Sequence, residues 1–364
     1  MRFRSFLAAI LVSTMMVSLA GAGCLGDGDD GNVVRWIQIP PIDQKASYQS
    51  GTVDGAITWE PYASDAVLDS DAEIYKWSGE IWENHPCCVM AVDRDYLEDN
   101  QDIVLRVLKA HMIATDWIEE TMQNPDSDNY TQMLQMGADF SDRSTEVVDS
   151  SLEHMRLAYN ITEDFNDWME IITQKYIDLG LISQQTIQNR GYDDVDDFVS
   201  KYVNSSLLDT ARDIEPSDTI LTDQPVKLGY LTGDLHQFAR VVADNKEIWG
   251  EGESLFEHYG VEVTTSPGGP YTNGGVEMQN FDMGNVDIGY LGSSPAILRH
   301  LNDDIDTVII SQVNNEGSAI FVDPSIQELE DFDGKTIATP GPSSIQHLMF
   351  LDYFTENGFE VRSK

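Results

Sequence analysis

Three short stretches carry groups suited to holding a small anion. "LGSSPAIL" sets Ser293 and Ser294 directly before Pro295. "TPGPSSIQHL" sets Pro342 beside Ser343 and Ser344, and "TGDLHQFA" opens on Gly233 and Asp234. Proline at the first helical position, with Ser or Asp before it, marks a helix start. The first turn of a helix leaves N–H groups without intrahelical acceptors, at the positive end of the dipole. Such a terminus and its flanking hydroxyls can hold a sulfonate, nitrate or carboxylate without Lys or Arg. None of the three stretches contains Lys or Arg. Plain capping explains the same residues before many helices that bind nothing.

Further residues suit a ligand in other ways. Trp59 and Tyr62 can cap an alkyl chain or an amine, and Glu60 between them suits a cationic moiety such as the ammonium of taurine. A surface aromatic pair beside a solvated acid is the alternative. Asn315 and Glu316 precede an apolar strand and would face a cleft or a hinge. His236 and His347 fall in first helical turns and read as core or surface residues.

These positions have to be held by a scaffold. From Val33 to about Ser206 strand patterns ("VVRWIQI", "VDGAITW", "CCVMAV") alternate with helical ones, the longest being "NQDIVLRVLKAHMIATDWIEETM". The polar stretch "LLDTARDIEPSDTILTDQP", with two prolines, reads as a linker over 207–225. A new strand, "VKLGYL", begins at Val226. The alternation predicts an α/β protein with largely parallel sheets. One internal repeat stands out: "SYQSGTVDGAITWEPYAS" and "EMQNFDMGNVDIGYLGSSPA" share Gln, then Gly-x-Val-Asp, then an apolar strand and a Pro-containing loop. Asp54 and Asp287 correspond. Each copy predicts a helix, a Gly C-cap, a strand, and a loop at the strand's carboxyl end, where open α/β sheets bind ligands. Two lobes on one plan follow, for which 364 residues give room.

Composition narrows the partners. The net charge is -42, from 63 acidic against 21 basic residues. That field argues against nucleic acid and against adhesion to anionic lipid. The acid is spread along the chain, as expected of solvated faces screened in a halophilic or marine habitat. Residues 1–23 read as an export signal: Arg2 and Arg4, the apolar run Phe6 to Leu19, then small residues before Cys24. The run is short for a membrane span. Cys24 would be the lipidated residue, although Gly21 stands where a strict lipobox has Leu. Residues 24–32 would form a flexible tether. Cys87 and Cys88 are adjacent, lack the spacing of a zinc site, and read as buried small hydrophobes. Asn129, Asn160 and Asn204 open glycosylation sequons. No catalytic set or phosphate loop is found, and no cofactor or metal is called for.

"IPPIDQKASYQSGTVDGAITWEPYAS", "NHPCCVMAVDRDYLEDNQDIVLRVLKAH", "VDIGYLGSSPAIL", "NNEGSAIFV" and "GKTIATPGPSSIQHLMFLDYFTENG" together resemble the nitrate/sulfonate/taurine-type substrate-binding proteins of ABC importers. The resemblance spans Val33 to about Asn124 and Val226 to Lys364. It implies a two-lobed periplasmic-binding-protein-like fold of type II. In that family the segment resembling 226–364 precedes the one resembling 33–206, so the order here implies a circular permutation with 207–225 as the new connection. Halves paired between chains, as a swapped dimer, are the competing arrangement to a monomer. The resemblance places the crossings between lobes at "SAIFV" (318–322) and "CCVMAV" (87–92). The larger lobe then holds 226–320 with 90–206, and the smaller holds 323–364 with 33–87.

The resemblance implies an extracytoplasmic lipoprotein that captures a small anionic solute, of sulfonate, taurine or nitrate type. It would deliver the solute to a membrane permease. The alternatives are a sensory ectodomain of the same fold, and an enzyme like the pyrimidine or menaquinone-synthesis members of this fold. The pyrimidine synthases carry a Cys-rich motif of which "HPCC" is at best a remnant.

Overall fold

A computed structural model describes residues 32–250 and 252–364. The export signal, Cys24 and most of the tether lie outside the described residues. Among the described residues there are twelve strands: β1 (Val33–Gln38), β2 (Gly55–Trp59), β3 (Glu73–Trp77), β4 (Pro86–Asp93), β5 (Met155–Leu157), β6 (Val226–Gly229), β7 (Val263–Thr265), β8 (Ile288–Gly292), β9 (Thr307–Glu316), β10 (Ser318–Val322), β11 (Thr336–Thr339) and β12 (Glu360–Ser363). They form two six-stranded sheets flanked by helices. The first runs β12-β1-β11-β2-β10-β3 and the second β5-β9-β4-β8-β6-β7. β2, β10 and β11 are buried along their whole length, as expected of strands covered on both faces. Helix Gln101–Met122 buries Val104, Leu108, His111, Thr115 and Ile118 on one face, the spacing its sequence pattern requires.

The internal repeat is a structural one. Helices Pro41–Gln49 and Gly274–Asp282 are each followed by a glycine at φ +70°, Gly51 and Gly284. Asp54 N–H then donates to Thr336 O at the start of β11, and the Asp54 carboxylate takes the Thr336 N–H at 2.8 Å. Asp287 does the same to Lys227 in β6, also at 2.8 Å. Each aspartate thus pins its own strand to the parallel neighbour, which is why Gly-x-Val-Asp recurs.

Several expectations are corrected. The sheets are mixed rather than mainly parallel, because β4 and β10 run antiparallel to both their neighbours. β10 lies wholly in the first sheet and β4 wholly in the second. The chain passes between sheets at Gly317 and through residues 78–85, so the first sheet takes residues 33–77 and 318–363 and the second takes 86–316. The stretch 207–225 is not a free linker. It begins in helix Ser206–Arg212, whose Leu207, Leu208 and Ala211 are buried, and continues bonded to His258 and Gly260. The helix start expected at "TGDLHQFA" is a 3-10 turn, Leu235–Gln237, followed by helix Phe238–Asp244.

The first and last described strands are neighbours. β1 pairs parallel with β12, Val33 opposite Glu360, and Glu360 N–H donates to Asn32 O at 2.8 Å.

Candidate functional site

The carboxyl ends of β2, β6, β8 and β11 converge, and between them lies a cavity of about 30 Å³. One water needs roughly 10–15 Å³ on this measure, so the space suits about two waters or one small ion. Its walls come from both sheets, with Trp59 and Ser343 from one and Asp234 and Gly292 from the other.

Three helix starts open onto it. Asn273 caps helix Gly274–Asp282, Gly292 precedes helix Ser293–Asp303, and Ser344 caps helix Ile345–Glu356; all three line the cavity. The Asn273 carbonyl takes Val276 N–H and the Ser344 hydroxyl takes His347 N–H, each at 3.1 Å. Free N–H groups and three dipoles therefore meet in one small space with no Lys or Arg in its lining. The indole N–H of Trp59, which also lines the space, is buried without a partner.

The sequence candidates divide. Trp59, Asp234, Ser343 and Ser344 line the cavity. Ser293 turns away and donates to Pro86 O at 3.2 Å, and Ser294 is buried outside the lining. Glu60 is not a ligand-facing acid. Its buried carboxylate takes the Ser64 N–H and hydroxyl and, from the opposite lobe, the Ser151 hydroxyl. Burial raises its pKa, against those bonds. Asn315 sits on β9 and takes the Gln312 amide. Gly233 lies against Tyr62 and Ser141, outside the lining, in a turn leading to the 3-10 segment. Tyr62 donates to Thr232 O at 2.7 Å, joining the lobes.

Sequence reasoning missed Cys87, Cys88, His236, Asn273 and Gln346, all in the lining. Asn273 was visible as a helix cap before "GGVEM". The others depend on contacts far apart in sequence. Cys87 Sγ lies 3.4 Å from His236 Nδ1, and His236 Nε2 bonds Gly317 O at 2.7 Å. Burial raises Asp234 to about 7, opposed by the neighbouring His236. Burial alone would lower His236, but the charges of Cys87 and Asp234 lift it to about 9. The Cys88 thiol, and then His236, hold Cys87 well below the ordinary thiol range; Cys88 is pushed up by Cys87 and by burial.

Contacts across the cleft hold the lobes together. Asp65, held within its own lobe by Lys45 Nζ at 2.8 Å, takes Arg143 Nε of the other lobe, also at 2.8 Å. Asp352 takes Lys175 at 2.6 Å and the Trp82 indole at 3.0 Å. Trp77 stacks on His154 with centroids 3.6 Å apart.

Comparison with known proteins agrees with this architecture. Residues 14–134 match the NMT1-like family, and residues 252–363 match the periplasmic phosphonate substrate-binding proteins of ABC transporters. The nitrate/nitrite binding protein NrtA of Synechococcus elongatus is 28% identical over 92 residues, which is 25% of this chain and 21% of that protein. NrtA of a Nostoc species is 27% identical over 82 residues, 22% of this chain and 19% of that protein. Both matched segments and both relatives make the chain similar to the nitrate/sulfonate/taurine-type substrate-binding proteins. The matched part is about a fifth of the length of these curated relatives. No solved structure matches this chain significantly. Among its described residues no helix is long and apolar enough to cross a membrane.

Proposed function

We propose that this binding protein captures a small oxoanion of nitrate or nitrite size between its lobes and delivers it to an ABC permease outside the cytoplasm. The observation that carries the reading is the convergence of three helix N-termini and an unpartnered indole N–H on a cavity of about 30 Å³. An anion of a few heavy atoms fits that volume, whereas a sulfonate or taurine needs a wider closure. The cross-lobe contacts of Asp65 and Asp352 are the closed end of a hinge motion about Gly317 and residues 78–85. Attachment through lipid at Cys24 completes the reading.

The test is thermal unfolding and calorimetry of the purified protein with nitrate, nitrite, taurine and alkylsulfonates. A ligand at 100 times its Kd stabilises the folded state by about 2.7 kcal/mol. Saturable stabilisation by nitrate or nitrite is expected. No response to any of the four sinks the transport reading in favour of a sensory role.

The segment order supports a permuted ancestry. In the family order, helix Ile345–Glu356 would lead straight into β1, and Glu360 does stand beside Asn32. Residues 360–363 then read as an added edge strand. A reordered chain with 226–359 placed ahead of 33–212 should fold as a monomer with unchanged ligand response. A dimer for the present chain by light scattering would favour halves swapped between chains.

A further inference from the structure

We propose that Cys87, Cys88 and His236 form a binding site for a thiophilic transition-metal ion of the zinc class in the interlobe cavity. The inference rests on the cavity being a binding site, but not on which anion enters it.

Geometry carries it. A sulfur of each cysteine and a ring nitrogen of His236 lie within 4.8 Å of one another, all buried. Tetrahedral zinc with Zn–S of about 2.3 Å and Zn–N of about 2.0 Å separates S from N by about 3.6 Å. The two Sγ to His236 Nδ1 distances are 3.4 and 3.9 Å. Asp234 stands beside this cluster, with Oδ2 3.9 Å from Cys88 Sγ and Oδ1 3.7 Å from His236 Nδ1. Both sulfur–nitrogen separations are within a few tenths of an ångström of a tetrahedral edge.

Two further features go beyond ordinary thiol hydrogen bonds. Neighbouring side chains on a regular strand point to opposite faces. Here the register of β4 on β9 shifts on both sides of Cys88, and Cys88 N–H donates to the side chain of Asn314 at 2.9 Å. Both adjacent thiols therefore line one cavity. In addition, His236 gives its Nε2–H to Gly317 O at 2.7 Å, which leaves the Nδ1 lone pair facing the sulfurs. A carbonyl bonded to the far ring nitrogen in this way fixes the tautomer of a metal-ligating imidazole. The donors come from β4 and the 3-10 turn, not from the three helix N-termini.

The experiment uses the reduced, chelator-stripped full chain titrated with Zn²⁺ against a chromophoric chelator, and with Co²⁺ followed in the visible and near ultraviolet. One Zn²⁺ per chain is expected, with Kd on the order of micromolar or tighter. Cys88→Ser and His236→Gln should each weaken it on the order of 100-fold. The Co²⁺ form should show thiolate charge transfer and tetrahedral d–d bands, and this needs no variant that might fail to fold. A wild-type Co²⁺ spectrum without thiolate bands, or Zn²⁺ affinity unmoved by both substitutions, overturns the site; the acidic surface would then be the metal's only hold. Nitrate-induced stabilisation is measured on the same preparation. Its survival when Zn²⁺ fails removes the metal site alone, and its absence when Zn²⁺ binds removes the anion reading alone.

Discussion

Gly317→Ala should cost several times what Gly51→Ala costs, although both glycines have nearly the same backbone conformation. Gly317 has φ +77° and Gly51 φ +70°. Any L side chain there carries a left-handed penalty of about 1 kcal/mol. A Cβ on Gly51 would meet nothing within 4 Å, so that penalty is its whole cost. A Cβ on Gly317 would lie 2.4 Å from His236 Nε2 and 2.8 Å from Met155 Cβ. Forcing atoms into a packed site costs about 1–3 kcal/mol more. Pushing His236 from the Gly317 carbonyl forfeits about 1 kcal/mol of hydrogen bonding. The sum is about 1 kcal/mol for Gly51→Ala and about 3–5 for Gly317→Ala. At about 2 °C per kcal/mol for a chain of this size, the thermal midpoints should fall by about 2 °C and about 6–10 °C. Differential scanning calorimetry at fixed pH and salt reads both. A double-mutant cycle with His236→Ala adds a check, because removing the imidazole should relieve much of the Gly317→Ala cost. Equal midpoints for the two glycine variants, or strict additivity with His236→Ala, would show that His236 does not pack against the crossing.

Other outcomes can be measured independently. Asp65→Asn leaves Arg143 and Lys45 without their shared carboxylate. Loss of such charge-assisted bonds costs about 1–3 kcal/mol, so the radius of gyration of the solute-free protein should rise in small-angle scattering; an unchanged radius would show that Asp65 does not latch the lobes. Burial lowers His111, His300 and His347 to about 4 each, with repulsion from Arg190 adding at His300. Their folded values lie below the unfolded value of about 6.5, so the stability they lend is complete above that pH and drains away as pH falls through about 4. His111→Phe should flatten the loss of stability between pH 6 and 4.5 by up to about 1.4 kcal/mol per pH unit, and an unchanged slope refutes the assignment. With a net charge of -42, the midpoint should climb from 0.1 M to 2 M NaCl as self-repulsion is screened, and a flat or falling midpoint would contradict that reading.

Local patterns in the sequence were legible where they obey a local rule. The Gly-x-Val-Asp repeat foretold two strands that begin alike, and Asp54 and Asp287 are bonded alike. Helix starts at Ser344 and around Ser293 were readable from Pro and Ser, yet the side chain that reaches the cavity depends on the neighbours. Ser293 spends its hydroxyl on Pro86 O, which no spacing reveals. Glu60 looked like a ligand group because it ends a strand; its partner Ser151 lies far along the chain in the other lobe. The paired thiols are buried as expected, but that both line one cavity was hidden for a related reason. Adjacent cysteines point apart on any regular strand, and only the register shifts against β9 turn both inward. The stretch at 207–225 looked like a linker because its apolar residues are few, but three of them suffice to seat a short helix.

The interleaving of the sheets bears on how the chain is made. In the first sheet the order β12-β1-β11-β2-β10-β3 alternates strands from the two ends of the sequence. In the second, β4 and β5 pair only with β8 and β9. Among the described residues, no strand within 33–212 pairs with another from that stretch. A nascent chain that has emerged as far as residue 212 therefore has helices but no sheet, with β2 and β4 exposing apolar edges meant for strands not yet translated. Contacts of such separation make folding slow and leave intermediates open to association. Cut between residues 212 and 226, the molecule would yield two pieces that complete both sheets only by joining each other, which makes it a natural split-protein pair.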